Sequence, residues 1–146
     1  MKTLILAAFA IAAVVADTYG GYTSFVLKNQ CNHVISVYRT GNNRPETDQC
    51  ILPTGIGCAI AFKNHTRFEF RANKEGRALS KFTINYNDDF VDTYEIDVSN
   101  GYDTPVSIQP TDGKSKNLTC TSATCADAGQ SQSIKHGGKF YVIYCP

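Results

Sequence analysis

Two carboxylates, Glu95 and Asp97, have the types and the spacing that could do chemistry. They lie in the segment Thr93–Val98 (TYEIDV), where apolar and polar residues alternate as in a half-buried strand. If the apolar residues face a core, the two carboxylates point outward together, about 6.5–7 Å apart. Glycoside hydrolysis uses carboxyl pairs about 5–5.5 Å apart in retaining enzymes and about 6.5–9.5 Å apart in inverting enzymes. The alternative is a solvated strand face whose charges prevent edge pairing.

Six cysteines form the second set of reactive side chains. An even number in an oxidising compartment implies disulfides, although six cysteines allow 15 pairings. A zinc site that also uses His33, His65 or His136 is the alternative, but the cysteines lack paired two-residue spacing and the histidines are scattered. We therefore expect three disulfides and no metal. Spacing along the chain favours the pairs Cys50–Cys58 and Cys120–Cys125, which leaves Cys31 and Cys145.

The first 16 residues are typical of a secretory signal peptide. A basic start at Lys2 precedes an uninterrupted apolar run from Leu4 to Val15, and small residues stand before the expected cleavage point. The mature chain is expected to begin at or near Asp17, so that one secreted domain occupies residues 17–146. The apolar run is too short to cross a bilayer, and no later segment approaches the ~20 apolar residues of a membrane helix.

The charge balance argues against a nucleic-acid binder. The chain has 14 Lys and Arg against 13 Asp and Glu, a formal net charge of +1, so no excess of cations is available to displace phosphate counterions. The charges are nonetheless segregated, because residues 63–81 carry six basic and two acidic side chains, whereas residues 82–113 carry seven acidic and no basic ones. We expect a globular monomer that binds neither nucleic acid nor membrane.

Short strands separated by turns are predicted along the mature chain. Arg67–Arg71, Lys81–Tyr86 and Thr93–Val98 alternate between apolar and polar residues, and no window shows sustained helical periodicity. Residues 111–139 are polar and small and are expected to be rich in loops. An all-β sandwich or barrel follows. Shorter strand candidates are Ser24–Lys28, Val34–Tyr38, Ala59–Phe62, Pro105–Ile108 and Phe140–Tyr144.

Four segments, taken in chain order, match one family pattern. The first match is Phe25–Val34 (FVLKNQCNHV), in which a strand with an aromatic residue is followed by Asn-x-Cys. The second is Asp92–Pro105 (DTYEIDVSNGYDTP), which aligns without gaps on the signature Asp-Phe-Tyr-Asp-Val-Ser…Asp-Gly-Phe-Asn-x-Pro. The third match runs from Pro110 to Cys125, where a proline is followed by two cysteines. The fourth is Tyr141–Pro146 (YVIYCP), which is similar to a final strand that ends in Phe-Cys-Pro. The chain therefore resembles thaumatin-like (pathogenesis-related group 5) proteins over most of its mature length.

The resemblance implies a flattened two-sheet antiparallel sandwich of about ten short strands. In the family the first and last cysteines, here Cys31 and Cys145, tie the two ends together. Full-length members carry a second disulfide-rich region, which is missing here because only about twenty residues separate Cys125 from Cys145, as in small-type members. The family partners of Cys120 and Cys125 lie in that region, which favours a local bridge, whereas the Cys50–Cys58 bridge is expected from spacing alone.

The resemblance also allows the family's acidic cleft, lined by one Arg, one Glu and three Asp, to be compared position by position. The Arg is kept, the Glu is reversed to Lys81, the first Asp becomes Glu, the second becomes Asn, and the third belongs to the missing region. Two further acidic residues, Asp92 and Asp97, could replace the negative charge that these substitutions remove. The candidate ligand-binding cleft is therefore Arg71, Asp92, Glu95, Asp97 and Asn100.

The resemblance implies a secreted defence or interaction protein that binds β-glucan or another cell-wall polysaccharide without turnover, with no catalytic residue and no cofactor. One alternative is a weak endo-β-1,3-glucanase, which needs one protonated carboxyl beside an ionised one. The other is an effector or inhibitor-type protein that acts on protein partners. Exposed aromatic residues would favour sugar binding; the candidates are Tyr86 and Phe90, because Tyr94 and Tyr102 are expected in the core.

Two sequons are present, Asn64-His-Thr66 and Asn117-Leu-Thr119. They are chemically suitable for N-glycosylation at Asn64 and Asn117 in a eukaryotic secretory pathway, although either triplet could stay unused. His136 is interpreted as a loop residue, because no nucleophile is evident beside it.

Overall fold

A computed structural model describes residues 21–42 and 44–146 of the chain. The expected signal peptide (residues 1–16) and the expected mature start at Asp17 lie outside these described residues. Within them every regular element is a strand, and no helix has the length and apolar character of a membrane span. The all-β prediction is confirmed.

Eleven strands follow one another in the described part of the chain. They are β1 (Tyr22–Asn29), β2 (Ile35–Gly41), β3 (Arg44–Leu52), β4 (Gly57–Lys63), β5 (Thr66–Ala72), β6 (Leu79–Ile84), β7 (Val91–Asp97), β8 (Val106–Pro110), β9 (Leu118–Cys120), β10 (Gln132–Lys135) and β11 (Lys139–Tyr144).

The strands form a two-sheet sandwich, as expected. One sheet has five strands in the order β4-β1-β11-β8-β9, and the other has six in the order β10-β7-β6-β5-β2-β3. The described pairings are antiparallel except for β1 with β11, which run parallel from Ser24↔Lys139 to Asn29↔Tyr144. Parallel strands cannot be joined by a tight hairpin. β1 and β11 meet this condition because the other nine described strands lie between them in sequence.

Phenylalanine rings fill the space between the sheets. The ring centroid of Phe25, on β1, lies 4.8 Å from Phe82 and 5.4 Å from Phe68 of the opposite sheet, and 5.3 Å from Phe140 on β11. Alternating side chains on a strand point to opposite faces. The alternation in Arg67–Arg71 therefore places its two phenylalanines in the core and its charged side chains on the outer face of the six-stranded sheet.

Three strands differ from the sequence prediction, and all three lie at the edge of a sheet. Strand β3 pairs with β2 where no strand was predicted, and β9 and β10 lie in the segment 111–139 that was expected to be loop-rich. Edge strands are paired on one side only and commonly carry polar residues, so their sequences lack the apolar alternation of central strands. The number of strands is therefore eleven within the described residues.

Three disulfides hold the sandwich, with the pairings expected from the sequence: Cys31–Cys145, Cys50–Cys58 and Cys120–Cys125. Cys31 and Cys145 follow the ends of the parallel strands β1 and β11, with their Cα atoms 5.0 Å apart. The second bridge joins β3 to β4, and hence an edge of one sheet to an edge of the other.

Candidate functional site

The outer face of the six-stranded sheet carries a groove of about 420 Å³. Strands β5, β6 and β7 form its floor, because their odd-numbered residues all point away from the core. The cross-strand register aligns these residues in two rows. One row is Glu95–Lys81–Glu69 and the other is Thr93–Thr83–Arg67.

The first row alternates in charge across three strands. Neighbouring strands lie about 4.8 Å apart, so Lys81 stands between the two glutamates. Its Nζ lies 3.2 Å from Oδ2 of Asp97, one pair further along β7. Glu69 and Glu95 are half-buried and have no hydrogen-bond or ion-pair partner among the side chains that the structure describes. Their carboxylates are therefore available to accept hydrogen bonds from a ligand.

The second row supplies hydroxyl groups and a flat cation–aromatic pair. The hydroxyls of Thr83 and Thr93 are hydrogen-bonded to each other at 2.5 Å. The guanidinium of Arg67 lies 4.3 Å from the ring centroid of Tyr86, which is just beyond the end of β6. This end of the groove therefore carries a planar surface beside the polar floor.

Asp97 and Arg71 lie beside the groove but are already engaged. Hydrogen bonds from the side chain of Ser99, from its backbone N–H and from Lys81 lower the pKa of the Asp97 carboxyl group. Arg71 forms a 2.5 Å ion pair with Glu46 and also donates to the carbonyl of Lys74. Both side chains lie at the rim of the groove, and their charges are already paired with other groups.

The structure does not bring Asp92 or Asn100 to this groove. Asp92 has the same parity along β7 as Tyr94, so its side chain points inward and is fully buried. Asn100 lies on the exposed turn that follows β7. The expected cleft of five residues is therefore corrected: Glu95 lines the groove, Asp97 and Arg71 flank it, and Asp92 and Asn100 are elsewhere.

Asp92 instead forms a buried polar cluster with His136, a residue that the sequence placed in a loop without a role. Nδ1 of His136 lies 2.7 Å from Oδ1 of Asp92, and Nε2 lies 3.2 Å from the carbonyl oxygen of Gly21. The hydroxyl of Thr23 donates to Oδ2 of Asp92, and the backbone N–H of Asn85 donates to Oδ1 at 3.0 Å. The cluster ties the start of β1 to the start of β7 and to the β10–β11 loop.

The aromatic residues considered for sugar binding differ in burial. Tyr94 is buried, and its hydroxyl donates to the carbonyl of Lys116 at 2.7 Å. Burial and the nearby charge of Asp112 raise the pKa of Tyr94 to about 12. Tyr86 and Phe90 are exposed on the β6–β7 loop.

The carboxyl groups near the groove can be compared with the pair that glycoside hydrolysis uses. That reaction needs one carboxyl group held protonated beside an ionised partner. The pKa of Asp97 is lowered, so this carboxyl stays ionised, and Lys81 places a positive charge beside both Asp97 and Glu95. Across residues 21–42 and 44–146, no group of three or more His, Cys, Asp or Glu side chains is placed to hold a metal ion.

The sequence matches no family model and no curated protein. Solved structures do match: the protein elicitor MoHrip2 from Magnaporthe oryzae has a TM-score of 0.65 at 14% identity, over 85% of this chain and 99% of that one. The thaumatin-like xylanase inhibitor TLXI has a TM-score of 0.62 at 12% identity, over 84% of this chain and 99% of that one. The chain therefore has the thaumatin-like fold, which confirms at the level of fold the resemblance seen in the sequence.

Proposed function

We propose that this chain is a secreted, non-catalytic binding protein of the defence or inhibitor type, and that its groove binds β-glucan or a related cell-wall polysaccharide. The observation that carries the proposal is the row Glu95–Lys81–Glu69 beside the hydroxyls of Thr83 and Thr93. Carboxylates accept, the ammonium donates, and threonine hydroxyls do both, which matches the donors and acceptors of sugar hydroxyls. A sheet holds these groups in fixed positions.

The Arg67–Tyr86 pair supports the same proposal. Small-molecule sites combine aromatic surface with a few placed polar groups. Tyr86 is 41% exposed, and its ring lies next to the polar floor of the groove. A pyranose ring has an apolar face that fits such a planar surface while its hydroxyls reach the charged row.

The charges support binding without turnover. A general acid in the groove would need a carboxyl group that holds its proton at the working pH. The carboxyl beside Glu95 on the same strand face is Asp97, and hydrogen bonds from Ser99 together with Lys81 lower its pKa. These contacts favour a carboxylate that binds hydroxyls over one that donates a proton to a glycosidic oxygen.

Co-sedimentation with insoluble curdlan tests the groove. The double variant Glu69→Gln/Glu95→Gln keeps the shape of both side chains but removes two charged acceptors. Hydrogen bonds to charged groups contribute about 1.5–3 kcal/mol each, so we expect retention to fall about tenfold or more. Glu75→Gln, the same change on the exposed β5–β6 loop, serves as the matched control and should bind like the wild type. Wild-type protein that stays in the supernatant, or a double variant that binds normally, would contradict the proposal.

Secretion and glycosylation belong to the same proposal. Asn117 and Thr119 are both exposed at the start of edge strand β9, whereas Asn64 is half-buried and its side-chain amide oxygen Oδ1 has no hydrogen-bond partner within the described chain. Intact mass of protein collected from a eukaryotic culture medium, before and after an amidase, measures both features. We expect a chain that starts near Asp17 and that loses glycan mass after the amidase. A chain that still carries residues 1–16 would contradict secretion, and a mass that the amidase leaves unchanged would contradict glycosylation.

A protein partner is the second candidate, and a specific feature favours it. Three large side chains, Tyr22, Tyr86 and Phe90, are exposed at one end of the sandwich, and Tyr86 lies at the end of the groove. The fold neighbours include an elicitor and a xylanase inhibitor, the second of which acts on an enzyme. An inhibitor-type role would place the main contact at this end.

A further inference from the structure

The outer face of the five-stranded sheet carries a basic patch on the side of the sandwich opposite the groove. Phe25 on β1 and Phe140 on β11 point into the core, so the residues next to them on each strand point outward. The outward residues of these two central strands include Lys28, Lys139 and Tyr141, which are all half-buried. We call these three residues the lysine patch.

One aromatic ring contacts both lysines of the patch. Nζ of Lys28 lies 4.2 Å from the ring centroid of Tyr141, and Nζ of Lys139 lies 4.9 Å from it. The two ammonium groups are therefore no more than 9.1 Å apart, which is the sum of these distances. Cation–π attraction holds both charges near one strand position, so less side-chain freedom is lost when a ligand binds them.

No carboxylate accompanies these cations on the strands of their own sheet. Strands β1, β4, β8, β9 and β11 carry three lysines, Lys28, Lys63 and Lys139, and no Asp or Glu. In the described part of the chain no ion pair involves any of these lysines. The acidic residues that lie on strands all belong to the six-stranded sheet: Glu46, Asp48, Glu69, Asp92, Glu95 and Asp97.

One exposed carboxylate, that of Asp112, lies on a loop close to one end of the patch. The N–H of the preceding residue, Thr111, donates to the carbonyl oxygen of Lys139 at 3.0 Å. Counted at its full charge, Asp112 is offset by Lys114 on the same exposed loop. Lys28 and Lys139 therefore remain as two positive charges in excess.

The other described carboxylates on loops do not change this balance. Asp127 forms an ion pair with Lys116 at 2.7 Å. Asp103 accepts hydrogen bonds from two backbone N–H groups of the β5–β6 loop, so it lies against the other sheet. The remaining ones lie on loops that join strands of the six-stranded sheet: Glu75, Asp88 and Asp89.

We propose that the lysine patch binds an acidic polysaccharide, a polyuronate that carries one carboxylate on each sugar. The site is separate from the groove, whose proposed ligand is uncharged, and it adds a second class of polymer to the first. Two ammonium groups within 9.1 Å of each other engage carboxylates of one polymer chain, and linked contacts of this kind reinforce each other. The hydroxyl of Tyr141 adds a donor and acceptor for sugar hydroxyls.

The residues around the patch favour a polysaccharide over a lipid surface. Membrane-surface elements combine basic residues with large apolar side chains that enter the bilayer. The outward residues paired with the patch on neighbouring strands are Ser24, Val26, Gln109 and Ile143. The first and third are polar, and the two aliphatic ones are half-buried and buried, so no large apolar side chain protrudes here.

Retention on polygalacturonate coupled to agarose tests the proposal, with methyl-esterified polygalacturonate as the control resin, because the ester has the same sugar backbone without the charge. We expect wild-type protein to bind the acid resin in about 0.01 M salt, where the screening length is about 30 Å, and to elute by about 1 M, where it is about 3 Å. Protein that passes through the acid resin, or that binds the ester equally well, would overturn the proposal.

Matched variants assign the retention to the patch. Lys28→Gln/Lys139→Gln should lower retention about fivefold, because exposed ion pairs contribute modestly. Lys74→Gln/Lys135→Gln makes the same change in net charge at two exposed lysines elsewhere and should bind like the wild type. Lys28→Arg/Lys139→Arg keeps the charge and should also bind normally, which separates charge from folding. Equal losses in the two Gln variants would overturn the proposal, because net charge alone would then explain retention.

Vesicles of phosphatidylcholine and phosphatidylserine provide the lipid comparison. We expect wild-type protein to stay in the supernatant when these vesicles are sedimented. Sedimentation with the vesicles but no retention on the acid resin would replace the polysaccharide with an anionic membrane and overturn the proposal. Curdlan retention depends on Glu69 and Glu95 of the opposite sheet, so the groove and the patch fail or succeed separately.

Discussion

A single buried carboxylate sets the strongest constraint at the scale of residues. Asp92 is fully buried, and the side chain of His136, which is 7% exposed, lies 2.7 Å from it. His136→Ala removes one hydrogen-bond partner of this buried side chain, and hydrogen bonds to charged groups contribute about 1.5–3 kcal/mol each. We therefore expect His136→Ala to lower the free energy of unfolding by about that amount in urea denaturation.

The double variant Asp92→Asn/His136→Ala provides the control for this prediction. It removes the buried charge together with its partner, so it should be less destabilised than the sum of the two single variants. A loss below about 1 kcal/mol for His136→Ala, within the range of ordinary surface changes, would show that His136 does not stabilise the buried side chain of Asp92.

The same residues show where sequence prediction succeeds and where it fails. Alternation in Thr93–Val98 is enough to place Glu95 and Asp97 outside, and the structure places them there. Asp92 follows the same alternation inward, but an acidic residue at the start of a strand is normally exposed. The contact with His136, 44 residues away in sequence, stabilises the buried side chain. No local sequence pattern predicts that contact.

At the scale of elements, the sequence predicts central strands and misses edges. Central strands such as β5 and β6 bury one complete face, so their apolar alternation is visible. The missed strands β3, β9 and β10 are paired on one side only, and their formation depends on the neighbour that each one joins. The groove was likewise invisible, because its rows arise from the register between three strands that each contribute two residues.

The β6–β7 connection shows the same limit on a loop. The sequence predicted a strand over Lys81–Tyr86, whereas β6 ends at Ile84 and a loop follows. The backbone of Phe90, with its positive φ, is hydrogen-bonded to Asn85 and to the backbone of His136, which lies in the loop between β10 and β11. Tertiary hydrogen bonds, rather than local propensity, therefore decide how this ring is presented.

At the scale of the whole molecule, one disulfide closes the chain. Cys31 and Cys145 are 114 residues apart in sequence, whereas Cys120 and Cys125 are five apart. In the chain-entropy model a loop of about 100 residues is stabilised by about 4.7 kcal/mol, against about 3 kcal/mol for 15 residues. We expect Cys31→Ala/Cys145→Ala to lower the melting temperature more than the control Cys120→Ala/Cys125→Ala. Equal losses, or a non-reducing peptide map that joins Cys31 to another cysteine, would contradict this account.

The fold was predictable at this scale because four ordered motifs, spread from β1 to β11, define the sandwich. Function was not, because Lys81 lies in the middle of the charged row and Asp92, which was expected in the cleft, points into the core. Ligand specificity depends on how the remaining side chains are spaced across the sheet, which a single sequence does not encode in any local segment.

The central claim is that this groove binds polysaccharide and does not cut it. Reducing ends released from laminarin, measured between about pH 4 and pH 7, test that claim most directly, because retaining and inverting cleavage both create one reducing end per cut. The account predicts no release above the buffer control at any pH, for wild-type protein and for Glu95→Gln alike. Release by the wild type that disappears in Glu95→Gln would contradict it and identify Glu95 as a catalytic carboxylate.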